Sequence, residues 1–222
     1  MKERYFTKSN IDIISHKLCD EINASMSAKE RKFRLLPEKF ALLVLDMQDY
    51  FLREDSNAFV PSSPAIIENI NSLIRLCEER QTPVFFTRHI NTNGNARMMS
   101  NWWKRLINKN DKLSGISDLL YIPAGNRIVA KSQYDAFYNT NLDKELKTKN
   151  INGLIVCGVM TNLCVETTIR SAFVHGYETV LPLDATAAYT YDYHRATALN
   201  LAFGFSYTTL TDSILKVIGE ND

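Results

Sequence analysis

The sequence predicts an α/β fold, a mainly parallel sheet of about six strands flanked by helices on both faces. Three observations carry that reading. Residues 40–45 and 154–157 are continuous apolar runs, the mark of strands buried on both faces. Such runs alternate with segments whose apolar residues recur at helical spacing, a pattern that calls for right-handed βαβ crossovers. The positions at the ends of the runs are polar: Asp46, then Arg88 and His89, then Lys131, then Asp184. In open parallel sheets, sites form beyond the carboxyl ends of the strands, so this rim is where a reactive centre belongs.

The elements follow in order. Ser9 is placed to cap a helix in which Ile11, Ile14, Leu18 and Ile22 recur. Residues 1–39 are expected to form a helical extension packed on a main domain of residues 40–222, with no Gly- or Ser-rich linker between them. Strands are expected at 40–45, 83–87, 127–130, 154–157, 179–183 and 206–210. Helices are expected at 64–80, 142–149, 165–175, 193–203 and 212–218. In the first of these, Ile66, Ile67, Ile70, Leu73, Ile74 and Cys77 share one side.

Composition narrows the function classes. Of 222 residues, 45% are hydrophobic and 23% charged, which supports a substantial core and argues against disorder. The net charge is +1, and the basic cluster Lys29, Arg31, Lys32 and Arg34 is short and broken by Glu30, so neither nucleic acid nor an anionic membrane is an expected partner. No apolar run approaches the roughly 20 residues of a membrane span, and the first residues lack the apolar core of a signal peptide. The four cysteines, Cys19, Cys77, Cys157 and Cys164, form no CxxC pair and read as free thiols of a reducing, cytoplasmic compartment. A GxGxxG loop is absent, so the fold implies no nucleotide.

Cys164 is the most informative residue. It follows the apolar run and the turn 158–163, and it opens the helix expected at 165–175. A thiol at a helix N-terminus lies among unpaired backbone N–H groups at the positive end of the dipole, a setting that favours thiolate and can stabilise an oxyanion. Asp46 and Lys131 end two other strands. A carboxylate and an ammonium at buried strand ends need partners, and each is the obvious partner of the other. Asp46 is also a candidate base for the thiol proton, and Lys131 a proton donor to a leaving group. Arg88 and His89 are candidates to bind a substrate carboxylate or carbonyl. Trp102 and Trp103 stand in a long connection, either as a lid over the substrate or as a packing or subunit surface. Phe137 is placed to line the pocket.

These residues resemble the isochorismatase-like cysteine hydrolases over about residues 40–210. The segments concerned are Leu45-Asp46-Met47-Gln48-Asp49-Tyr50-Phe51, Lys131-Ser132-Gln133-Tyr134-Asp135-Ala136-Phe137 and Gly158-Val159-Met160-Thr161-Asn162-Leu163-Cys164-Val165. The resemblance implies a single Rossmann-like domain and an Asp–Lys–Cys triad, with Asp46 as base, Lys131 as electrostatic and proton partner, and Cys164 as nucleophile. It also implies a cis Val159–Met160 peptide that aims the N–H groups of Met160 and Cys164 at the substrate oxygen. The implied reaction is hydrolysis of a small amide or ureido compound through a thioester, in a homodimer or homotetramer. Relatives that hydrolyse nicotinamide hold a metal through an Asp-x-His element. Here Asp55 is followed two residues later by Asn57, so neither metal nor other cofactor is expected. Two alternatives remain: vinyl-ether cleavage using Asp46 and Lys131, and a catalytically silent binding module.

Overall fold

A seven-stranded parallel sheet organises the described residues, 1–25 and 39–219, of the computed structural model; the basic cluster at 29–34 lies outside them. In chain order the elements are α1 (Ile11–Ser25), β1 (Phe40–Leu45), α2 (Asp49–Leu52), α3 (Ser63–Glu79), β2 (Val84–His89), α4 (Met99–Trp102), β3 (Arg127–Lys131), α5 (Leu142–Thr148) and β4 (Gly153–Val159). A π-helical turn (Thr161–Val165) then leads into α6 (Glu166–Val174), β5 (Glu178–Pro182), a 3-10 turn (Leu183–Ala185), β6 (Thr186–Ala187), α7 (Tyr191–Gly204), β7 (Tyr207–Thr209) and α8 (Thr211–Gly219).

Strand alternation divides the core into two layers. Phe40, Leu42 and Val44 of β1 pack on one face with Ile66, Ile70 and Leu73 of α3 and Ile214 and Ile218 of α8. Ala41, Leu43 and Leu45 turn to the other face, against Leu142 and Leu146 of α5, Ile169 of α6 and Leu201 of α7. Both faces are covered, and β1 is therefore apolar throughout. The N-terminal segment joins both layers: Phe6 and Ile11 enter the first, Leu18 and Ile22 the second. Its backbone is held as well, because Tyr5 N and Phe6 N both donate to Ser62 Oγ.

The strand order β3-β2-β1-β4-β5-β7 sets the location of a site. Successive strands run outward from β1 in one direction, and the chain then returns to lay β4 on the opposite side of β1. The crevice at such a reversal lies at the carboxyl ends of the two central strands, here Asp46 after β1 and the turn after β4. Gly158 permits their close approach. It lies opposite Leu45, has φ +107°, and a Cβ there would collide with the Leu45 carbonyl oxygen and sit 2.8 Å from its nitrogen.

The structure departs from the expected elements in specific places. The seventh strand, β6, has two residues and pairs with β4 beyond the point where β5 leaves it; so short a strand has no readable period. β2 continues through Arg88 and His89, so these residues belong to the strand instead of following it. α1 begins at Ile11, with Ser9 in the preceding turn 3.1 Å from Thr7 Oγ1. No helix among the described residues is long and apolar enough to cross a membrane.

Candidate active site

Asp46 leaves β1 in a left-handed conformation, φ +50°, and is completely buried. Thr87 of β2 grips it twice: its Oγ1 accepts from Asp46 N at 3.0 Å and donates to Asp46 Oδ1 at 2.6 Å. Lys131, the last residue of β3, brings Nζ to 2.7 Å from Asp46 Oδ2, with neither side chain exposed. The same ammonium is 3.3 Å from Cys164 Sγ, 3.0 Å from Gln133 O and 3.4 Å from His89 Nδ1. Residues from four separate stretches of sequence thus converge on one buried cation.

The electrostatics follow from this packing. Burial by itself raises the Asp46 carboxyl, but the Lys131 ammonium beside it outweighs this and holds the group below its ordinary value. Burial opposes the charge on Lys131, yet the Asp46 carboxylate carries it above the ordinary lysine value. The pair is therefore ionised. For Cys164, burial and then the Asp46 carboxylate push the thiol up, with Lys131 pulling the other way. Burial beside Asp46 thus works against the thiolate expected at a helix N-terminus. Cys164 lies within the π-helical turn that runs into α6 at Glu166, and desolvation and the Asp46 carboxylate act on its thiol there. Burial and the neighbouring carboxylate both favour the thiol form of Cys164 in the resting site.

His89 is neutral, because burial and the adjacent Lys131 lower its pKa to about 4. Its Nε2 lies 2.9 Å from Asn91 Oδ1, which assigns the proton to Nε2 and leaves Nδ1 to accept from Lys131. Gln48 fixes the His89 backbone from both sides: Oε1 accepts from His89 N at 2.7 Å, and Nε2 donates to His89 O at 3.1 Å and to Ser114 O at 2.8 Å. The Val159–Met160 peptide is cis. Thr87, Asn91 and Gln133 escaped the sequence reading. Thr87 alone left a signal, a hydroxyl within an otherwise apolar strand.

A cavity of about 400 Å³ opens over Cys164. His89, Met160, Trp102 and Trp103 line it, together with Tyr134, whose hydroxyl accepts from Trp103 Nε1 at 2.9 Å. Two expected substrate-binding residues are elsewhere. Arg88 alternates away from His89 along β2 and donates to Ser114 O and Ser114 Oγ, bracing the 105–117 connection. Phe137 is a core residue, stacked on His175 at 4.9 Å and on Tyr177 at 5.7 Å, and does not line the cavity. Trp102 is 74% exposed, so it rims the opening without sealing it.

Asp46, His89 and Cys164 offer ligand atoms within 4.8 Å of one another. They do not fit a resident metal, because the Lys131 ammonium already occupies the point on which they converge. Asp55, which is followed two residues later by Asn57 and not by His, is on the surface and paired with Arg53 at 3.0 Å.

Comparison with known proteins places this architecture. The isochorismatase domain model matches residues 40–213. Nicotinamidase 3 of Arabidopsis thaliana is 37% identical over 183 residues, covering 79% of this chain and 87% of that protein. Ureidoacrylate amidohydrolase RutB of Yersinia enterocolitica is 32% identical over 205 residues, covering 80% of this chain and 88% of that one. The crystal structure of a cysteine hydrolase from Pseudomonas syringae pv. phaseolicola superposes with a TM-score of 0.82 at 28% identity, over 87% of this chain and 99% of that chain. With the parallel sheet, the strand-end cluster and the domain match in agreement, the chain belongs to the isochorismatase family.

Proposed function

We propose that the protein is a cysteine amidohydrolase that cleaves a C–N bond of a small amide or ureido substrate, with Cys164 as nucleophile, Asp46 as general base and Lys131 as their electrostatic partner. One observation carries the reading: a buried ammonium lies 2.7 Å from a carboxylate and 3.3 Å from a thiol, and that thiol faces a cavity. The names of the two relatives and of the solved cysteine hydrolase support it.

The chemistry follows from the resting thiol. As sulfur attacks the substrate carbonyl, its proton passes to Asp46, so the thiolate exists only along the reaction path. The Met160 and Cys164 N–H groups receive the developing oxyanion. Asp46 then returns the proton to the departing nitrogen, the C–N bond breaks, and a thioester remains. Water, deprotonated by Asp46, cleaves the thioester and restores the thiol. Lys131 keeps Asp46 ionised before attack, and neutral His89 keeps Lys131 in place without adding a competing charge. Trp102, Trp103 and His89 contact the substrate.

The reading extends to a cytoplasmic enzyme, supported by four free thiols, and to a homodimer or homotetramer, supported by the exposed Met98 and Trp102. Of the N-terminal extension, the described residues 1–25 pack on the domain that begins at residue 40. The test is ammonia release from a panel of small amides and ureido acids, with wild type and Cys164→Ala run side by side. Turnover by wild type and at least a thousandfold loss in the variant is expected, on the scale of losing a nucleophile. Near-wild-type activity in Cys164→Ala refutes the assignment.

A further inference from the structure

The wall of the cavity includes a residue from outside the matched family domain. That match begins at residue 40, yet Lys2 lines the same cavity as Cys164. Lys2 is held in place. Its Nζ donates to Asn57 O at 2.7 Å and to Phe59 O at 2.8 Å, and it lies 4.5 Å from the centre of the Tyr189 ring. The adjoining backbone is tied to the same wall, because Glu3 N donates to Tyr189 O at 2.7 Å. Asn57 and Tyr189 also line the cavity.

The charge balance of this wall is one-sided. Among the described residues, the cavity lining includes Lys2, Lys104 and Arg105 and no carboxylate. Arg105 is neutralised by Asp111 at 2.7 Å. Lys2 is held by two neutral carbonyl oxygens, which orient an ammonium without cancelling its charge, and an ammonium has a third proton to give. Lys2 makes no ion pair among the described residues, and such a cation on the wall of a cavity that also holds Cys164 favours a ligand that carries an anion away from its reacting carbonyl.

We infer that Lys2 is a specificity-determining residue, which selects amide or ureido substrates bearing a carboxylate and receives that carboxylate at its place on the cavity wall. The inference rests on the amidohydrolase reading of the same cavity, but its test separates the two. The probes are 3-ureidopropionate and its methyl ester, matched in the ureido group and differing in charge. Binding is measured by calorimetry on Cys164→Ala protein, with and without Lys2→Met or Lys2→Arg, and with the N-terminus free of any tag. Ammonia release is measured in parallel on the same Lys2 variants with Cys164 intact.

The expected result is a preference for the acid over the ester that falls about tenfold in Lys2→Met, the scale of one charge-assisted contact. Lys2→Arg should retain the preference, and added salt should weaken it in the parent protein. A merely structural tie lowers binding of both probes together and leaves their ratio unchanged, and that outcome overturns the inference. So does a parent protein that binds both alike, or neither. If the binding preference and its loss in Lys2→Met are seen while no variant with Cys164 releases ammonia from either probe or from the wider panel, the amidohydrolase reading fails and the role of Lys2 stands.

Discussion

Replacing Lys131 with Met tests the electrostatic core of the site most directly, because it removes the cation and keeps the apolar stem. Both partners of the Lys131–Asp46 pair are completely buried at 2.7 Å. Removing one partner of such a pair leaves an uncompensated buried charge and costs about 3–5 kcal/mol. For a chain of this size that corresponds to a fall in Tm of roughly 6–20 °C. The pH dependence carries the signature. In wild type, the depressed Asp46 contributes stability above its unfolded pKa of about 4, lost as pH falls through the folded value. The raised Lys131 contributes stability below its unfolded pKa of about 10.4, lost as pH rises through the folded value. The pair therefore stabilises the fold between those limits. In Lys131→Met, burial acts on Asp46 unopposed by the ammonium and lifts its folded pKa above the unfolded one. The penalty then shrinks on acidification toward pH 4, as the carboxyl takes up a proton. Urea unfolding at pH 7 and pH 5 measures this, and adding Asp46→Asn to the variant should recover much of the loss. A single variant within about 1 kcal/mol of wild type at both pH values would refute the ionised, mutually dependent pair.

Three further outcomes follow from the same geometry. Thr87→Val removes the hydroxyl that donates to Asp46 Oδ1, so about 1–3 kcal/mol of stability should be lost; the carboxyl pKa should rise, which moves the acid limb of the kcat/KM profile to higher pH. Gly158→Ala forces a Cβ into the Leu45 backbone at a φ of +107°, and a loss of more than about 3 kcal/mol is expected, read as reduced folded yield and Tm; a variant as stable as wild type means that β1 and β4 do not approach as described. Alkylation of Cys164 by iodoacetamide should be slow at neutral pH and still climb with pH beyond the range of an ordinary thiol, because burial and Asp46 raise it; a rate that levels off near pH 7 indicates a resting thiolate instead.

Much of the site was legible because strand ends are local features. An apolar run followed by Asp46, another followed by Lys131 and a third followed by the turn to Cys164 can be read one segment at a time. A parallel sheet then obliges all such ends to meet at one rim. The residues that failed did so for reasons of facing. Arg88 and His89 are adjacent, and strand alternation allows only one of them to face the cavity. Which one depends on β2 extending through both, in register with Lys131 and Ala130 of β3. Phe137 is close to Lys131 in sequence, yet His175 and Tyr177 capture its ring.

The sequence by itself determined the alternating elements, the parallel sheet, the three strand-end groups and the family, since each rests on short-range periodicity or a contiguous motif. Only the tertiary structure decided the protonation of the site and the identity of its walls. The Cys164 thiol is pushed up by desolvation and by the carboxylate of a residue 118 positions away (164 − 46). Asp46 is gripped by Thr87 of the neighbouring strand, and Lys2 reaches the cavity from the far end of the chain. Burial and electrostatic coupling depend on distances between remote segments, and no local pattern records them.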